Sequence, residues 1–237
     1  MPAALPIMLT LTTNAPEDTE LVGELLGSLA GAGDVLALEG ELGAGKTRLV
    51  RGLARGLGLD ADLVHSPTFV LMNEYRPGAG SGPGGLRLVH VDAYRLGGDE
   101  ELDTIGWDEA LAGGAVVAVE WPSRIAGAIK RLGPALAAVQ LHHAEDEERR
   151  RRVVHLPAGW QRRPGFAKVM SALGRFGSGG GVVVGGERCR GCGRELPAGA
   201  PHAPFCGTRC RDADLGRWFS EAYRVSRPVE ADDELSE

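Results

Sequence analysis

The hydrophobic pattern of the chain switches repeatedly between two periods. Leu9–Thr13 is short and β-compatible. Glu17–Leu29 carries Leu21, Leu25 and Leu29 at i, i+4 and i+8, one face of a helix, with Pro16 suited to its first turn. Val35–Leu38 is a continuous apolar run, which predicts a strand buried on both faces. Arg48–Leu57 returns to the helical period, with Leu49, Val50, Leu53 and Leu57 inward and Arg48, Arg51 and Arg55 outward. Leu86–Val91 and Ala115–Val119 predict two further buried strands, and Val139–His142 with Val153–Leu156 a late hairpin. No internal repeat is visible. Strands alternating with helices predict an α/β sandwich of three layers around a parallel or mixed sheet.

The glycines and cysteines divide the chain. Of 36 glycines, a dense block lies in Pro164–Gly186 (PGFAKVMSALGRFGSGGGVVVGG), which loses much backbone entropy on ordering and reads as a flexible linker. A second patch, Pro77–Gly85, reads as an extended surface loop, suited to a hairpin connection. All four cysteines follow the long block. The expected organisation is a domain over 1–160, a linker over 161–186, a small module over 187–226 and an acidic tail over 227–237. The chain is 43% hydrophobic and 24% charged, which is globular. Its formal net charge of −6 argues against a coat for nucleic acid along its whole length. No apolar run reaches the roughly 18–20 residues of a membrane helix. Met1–Thr13 lacks the basic start and long apolar core of a secretory signal, so a cytoplasmic protein is expected.

Gly40-Glu41-Leu42-Gly43-Ala44-Gly45-Lys46-Thr47 fits G-x-x-x-x-G-K-[ST], between an apolar strand and an amphipathic helix. Glycines at 40, 43 and 45 let the backbone fold around phosphate oxygens, and the helix beginning near Lys46 adds the positive end of its dipole. Lys46 is placed to reach the β- and γ-phosphates, and the Thr47 hydroxyl to ligate Mg²⁺. Ala44 and Arg48 complete the expected nucleotide-binding stretch. This predicts a P-loop NTPase-like domain with a nucleoside triphosphate site. Asp92 and Glu120 each follow an apolar strand, where open α/β sheets place their ligand sites; a solvated acid at a strand end is the plainer reading of either alone. Ser66-Pro67-Thr68 offers hydroxyls to Mg²⁺ or water as a switch segment, or forms a simple turn.

Together GELGAGKT (40–47), HSPTFVLMNEY (65–75), HVDAYRL (90–96) and VEWPSRI (119–125) resemble the bacterial TsaE family, over about residues 8–156. That family is the ATPase component of tRNA threonylcarbamoyladenosine (t6A) biosynthesis. The resemblance implies binding of ATP and Mg²⁺ and weak hydrolysis by the isolated protein. It implies two partner proteins that modify the adenosine at position 37 of ANN-decoding tRNAs, with tRNA contacted through them. By motif, Thr47 and Glu120 would ligate Mg²⁺, Asp92 would support turnover, and Trp121 would lie beside the nucleotide. Ser66 and Thr68 match the switch loop. Arg149, in the run Arg149–Arg152, is the candidate for an arginine of the late hairpin that touches the nucleotide. The Gly-rich insert at 77–85 departs from the family pattern.

Cys189-x2-Cys192 and Cys206-x3-Cys210 form a four-thiolate spacing able to deliver sulfurs tetrahedrally to Zn²⁺ at about 2.3 Å. Two disulfides, or iron in a rubredoxin-like site, are the competing readings. Metal fits a module of this size, since about 40 residues cannot supply a sufficient hydrophobic core. PFCGTRCRDADLGRWFSEAYRV with the upstream cysteine pair resembles the small zinc-binding YacG proteins, described as DNA gyrase inhibitors, over about residues 187–226. This implies that the four cysteines hold zinc and that the partner is the ATPase-bearing gyrase subunit. The first knuckle, CRGCGRELP, lacks the family's common proline after its first cysteine. Two arrangements of function follow: a t6A ATPase fused to a gyrase-binding module, or a zinc module that docks the ATPase onto its modification partners or tRNA. A small-molecule kinase ranks below both, for want of an acceptor site or lid.

Overall fold

In the computed structural model the described residues are 7–78, 85–132, 136–143 and 150–177, with the isolated positions 192, 194, 207, 209 and 210. Seven strands form one sheet in the order β1-β7-β6-β2-β5-β4-β3. They are β1 (Ile7–Thr13), β2 (Val35–Gly40), β3 (Met72–Tyr75), β4 (Leu88–Asp92), β5 (Val116–Glu120), β6 (Ala137–His143) and β7 (Arg150–Leu156). The middle of the sheet, β6-β2-β5-β4, is parallel, and antiparallel strands close both edges: β3 against β4, and β7 and β1 beyond β6. β3 and β4 are antiparallel neighbours, and most of the Gly-rich insert between them, residues 79–84, lies outside the described residues.

Every residue of β4 and β5 is buried, as their apolar runs require when both faces of the sheet are covered. One face packs under α1 (Pro16–Gly27), α2 (Lys46–Gly56) and α5 (Phe166–Gly174), the other under α3 (Trp107–Ala112) and α4 (Ala126–Leu132). Leu36, Leu38 and Ala118 face the first layer, and Val35, Val117 and Val119 the second, by strict alternation.

The contact between α1 and α2 depends on missing side chains. A Cβ on Gly23 or Gly27 would run into the carbonyls of Leu49 or Leu53, and one on Gly52 or Gly56 into those of Glu20 or Glu24. Two glycine pairs at i, i+4 thus bring the two backbones together. Glu20 closes the seam by accepting from Arg48 at 2.7 Å and Arg55 at 3.3 Å.

The linker expected to begin at residue 161 does not begin there. Phe166–Gly174 is the helix α5, and Val169, Leu173 and Phe176 are buried in the first core with Trp160. Phe166, Val169, Met170 and Leu173 fall at i, i+3, i+4 and i+7, a helical stripe that the nearby glycines obscure. Thr12 then donates to the Phe176 carbonyl at 2.7 Å, which ties the end of this segment to β1. The domain therefore extends to residue 177. Cys189 and Cys206, and the tail over 227–237, lie outside the described residues.

Gly52→Ala should destabilise the domain by about 1–3 kcal/mol, because the helix seam has no room for a methyl group. Gly159→Ala, at a site open to solvent around its Cα, should stay within about 0.5 kcal/mol of wild type. Urea unfolding of the two variants measures the contrast.

Candidate functional site

The neighbouring parallel strands β5 and β4 end level with one another, and β2 runs two residues further, to Gly40. Leu38 is opposite Glu120, and Glu120 is opposite Asp92. The loop after β2 therefore meets the two acids at one edge of the sheet. It turns through Gly43 and Gly45, both at positive φ, where a β-carbon would strain the backbone. Helix α2 then begins at Lys46 with no side-chain cap at Gly45 and no acid in its first turn, as suits a helix end that faces an anion.

Lys46 is almost fully buried and donates to its own loop, to the Gly40 carbonyl at 2.7 Å and the Glu41 carbonyl at 3.0 Å. Its ammonium also lies 3.8 Å from the centre of the Trp121 ring. Burial pulls the Lys46 pKa below its ordinary value, against the opposing pull of Glu120, Glu39, Asp92 and Glu41. Thr47 donates its hydroxyl to Glu120 Oε1 at 2.8 Å, and the same oxygen lies 2.9 Å from His90 Nε2. Burial works to raise the Glu120 pKa, but the bonds from His90 and Thr47 and the charge of Lys46 together hold it below the usual carboxylate value.

Asp92 holds the segment Ser66–Thr68. It accepts from Thr68 Oγ1 at 2.6 Å and from Ser66 Oγ at 3.4 Å, the two hydroxyls being 2.7 Å apart. Its other oxygen takes the Tyr94 amide at 3.0 Å, and its own amide donates to Leu71. Leu71 and Trp121 have positive φ values of 66° and 58°, the two non-glycine residues of this kind among those described. Both flank the site, as locally strained backbone does where surrounding structure over-determines it.

Each expected member of the site among the described residues thus comes to one edge: Gly40, Gly43, Ala44, Gly45, Lys46, Thr47, Ser66, Thr68, Asp92, Glu120 and Trp121. Arg48 differs, since its guanidinium is directed to Glu20 on α1. Arg149 lies outside the described residues. The arginine of that run that the fold turns inward is Arg152, fully buried, donating to Thr19 Oγ1 and the His142 carbonyl at 3.2 Å each. A Cβ on Gly45 would sit 3.4 Å from its Nη2, so Arg152 lies directly behind the loop.

Glu39 and His90 are buried titratable residues beside the loop. Glu39, the last side chain before the loop, is 3% exposed and accepts the Ser123 amide at 3.2 Å. That bond anchors the turn Trp121–Ser123 from the opposite face of β2. Burial raises the Glu39 pKa despite the Ser123 donor and Lys46. Glu39 belongs to no motif in the sequence, and His90, though it opens the stretch HVDAYRL, has no role assigned there; a charged or titratable residue inside an apolar run is the signal that marks both.

Thr47, Glu120 and Asp92 offer hard oxygen donors, the chemistry that suits Mg²⁺. Among the described residues, no three His, Cys, Asp or Glu side chains cluster as a metal site. Cys192 and Cys210 are described as single positions, so the four-cysteine arrangement lies largely outside the described residues. No described helix is long and apolar enough to cross a membrane.

With its native pKa raised, Glu39 binds its proton more tightly in the folded than in the unfolded chain. Stability attributable to it is therefore lost as pH rises from the unfolded carboxyl pKa of about 4.5 through the raised native value. Glu39→Gln should raise the melting temperature at pH 7–8, with the gain fading towards pH 4. Thermal unfolding across that range checks the sign.

The family model for threonylcarbamoyl adenosine biosynthesis protein TsaE matches residues 13–153, and that for DNA gyrase inhibitor YacG matches residues 187–236. The second match continues past residue 226 into the stretch expected to be a tail. The tRNA threonylcarbamoyladenosine biosynthesis protein TsaE of Bacillus subtilis is 39% identical over 134 residues, 56% of this chain and 77% of that protein. Its counterpart in Streptomyces coelicolor is 50% identical over 101 residues, 42% of this chain and 64% of that protein. That of Mycobacterium tuberculosis is 43% identical over 123 residues, 49% and 70% of the two chains. The crystal structure of Bacillus subtilis YdiB aligns with a TM-score of 0.47 at 28% identity, over 71% of this chain and 96% of that one. By the match over its larger domain, the chain belongs to the TsaE family of tRNA threonylcarbamoyladenosine biosynthesis proteins.

Proposed function

We propose that the domain binds Mg²⁺-ATP at the edge formed by β2, β5 and β4 and hydrolyses it in the service of t6A synthesis. The observation that carries this reading is the direct bond from Thr47 to Glu120, with Lys46 buried beside them. A hydroxyl and a carboxylate in contact next to a glycine-rich helix start are the parts that a Mg²⁺-triphosphate needs. Thr47 and Glu120 would hold the metal, which when bound neutralises charge on the β- and γ-phosphates. Lys46 leaves its loop carbonyls for the phosphates, and Asp92 with Ser66 and Thr68 orders the switch segment beside them. Arg152 adds positive potential from behind the loop.

Apolar side chains rim this site. Leu42 and Phe69 are each 87% exposed and Val70 64%, an unusual display around a polar cleft. This favours an ATPase that works while covered by protein partners, in keeping with the other proteins of t6A synthesis. It favours a cytoplasmic setting, where nucleotide and tRNA are found.

For residues 187–236 the reading is a zinc module, with Cys189, Cys192, Cys206 and Cys210 as ligands. The family match makes the ATPase-bearing subunit of DNA gyrase its candidate partner.

Lys46→Ala should weaken ATP binding by about 10–100-fold, the worth of one or two charge-assisted hydrogen bonds. Glu120→Ala should retain metal-free nucleotide binding and lose Mg²⁺-dependent hydrolysis. In a strain lacking its own family member, the full chain should restore modified tRNA and Lys46→Ala should not. Wild-type turnover in both variants would refute the assignment.

The full chain should carry one zinc per molecule, and stripping it should abolish capture of gyrase while ATP binding persists. Capture of the t6A enzymes by the zinc-loaded module instead would make it an adaptor.

A further inference from the structure

His90 is fully buried at the centre of β4 and shares a sheet face with Asp92. Glu120 is its diagonal neighbour on β5, since His90 is opposite Ala118 and Asp92 opposite Glu120. The imidazole lies 2.9 Å from Glu120 Oε1 through Nε2, and its Nδ1 is buried with no hydrogen-bond partner. A carboxylate can only accept, so Nε2 carries a hydrogen. Glu120 Oε1 thereby receives two donors at once, Thr47 Oγ1 from α2 and His90 Nε2 from β4. Two donors on one oxygen fix the plane of the carboxylate and leave Oε2 to point elsewhere.

We infer that His90 is the positioning residue of the site, holding the Glu120 carboxylate through Nε2–H so that it meets a divalent cation together with Thr47. This rests on the reading of Glu120 and Thr47 as the cation's ligands. His90 itself touches neither nucleotide nor metal. It acts as outer partners of metal ligands do, by removing the freedom of the ligand it binds. Its place inside the sheet suits that role, because the strand around it is held on both sides and cannot shift with the loops.

The test is the Mg²⁺ affinity of the full chain loaded with ADP, measured by calorimetry, alongside ADP affinity without metal. His90→Leu should bind Mg²⁺ about 10–100-fold more weakly, with metal-free ADP affinity unchanged. His90→Gln, which keeps an N–H donor at that reach, should recover most of the loss. A merely structural role would lower both affinities together. Wild-type Mg²⁺ affinity in His90→Leu overturns the inference, as does a Gln variant no better than Leu. If His90→Leu does not fold, nitrogen-15 NMR of labelled histidines in the wild-type chain decides: a protected Nε2–H supports the role and an Nδ1–H tautomer overturns it. If the wild-type chain shows no Mg²⁺ binding with ADP, it is the assignment of the cation site that fails.

Discussion

Three adjacent parallel strands held in one register are the constraint on which the site depends. β2, β5 and β4 are neighbours, and their register sets Leu38, Glu120 and Asp92 in a row. Strands in a sheet lie about 4.8 Å apart, so side chains at the ends of adjacent strands are held within contact distance whatever the loops do. The chain leaves β2 into the glycine loop, β5 into the Trp121 turn and β4 into the Asp92–Tyr94 turn. Each of these turns is thus delivered to the same place by backbone hydrogen bonding.

Helix α2 must then be held against that edge. The glycines of α1 and α2 let the two backbones meet, and Glu20 locks the seam through Arg48 and Arg55. The amino end of α2, with Lys46 and Thr47, cannot move away from Glu120 without opening this packed contact. From the other side of the sheet Glu39 anchors the Trp121 turn, which keeps an αL backbone in a residue that would ordinarily avoid it.

The cost of such a site is charge in a dry place. An unpaired buried charge costs several kcal/mol, so each buried ionic group here is met by an oppositely charged or hydrogen-bonding neighbour. Lys46 has two carbonyls and the Trp121 face, Glu120 has Thr47 and His90, and Arg152 has Thr19 and His142. Glu39 accepts the Ser123 amide and lies near Lys46, yet burial outweighs these and pushes its pKa up.

Much of this was legible in the linear chain. The apolar runs announced β2, β4 and β5, and the helical period announced α1 and α2, because burial on one or two faces dictates residue pattern locally. The glycine loop with Lys46 and Thr47, and the acids Asp92 and Glu120, were legible because their roles follow from backbone shape and position at a strand end. α5 was not, since its stripe at 166–173 is short and lies beside glycines that suggested a linker. His90 and Arg152 sat inside stretches that the sequence singled out, HVDAYRL and the run Arg149–Arg152, but their places, like that of Glu39, could not be read there: their partners are 30, 84 and 133 residues away for His90, Glu39 and Arg152. Local sequence determined which elements form and which loop would cradle an anion. Only the tertiary structure decided which buried polar groups stand behind it, because those pairings are made by strand order and register across the sheet.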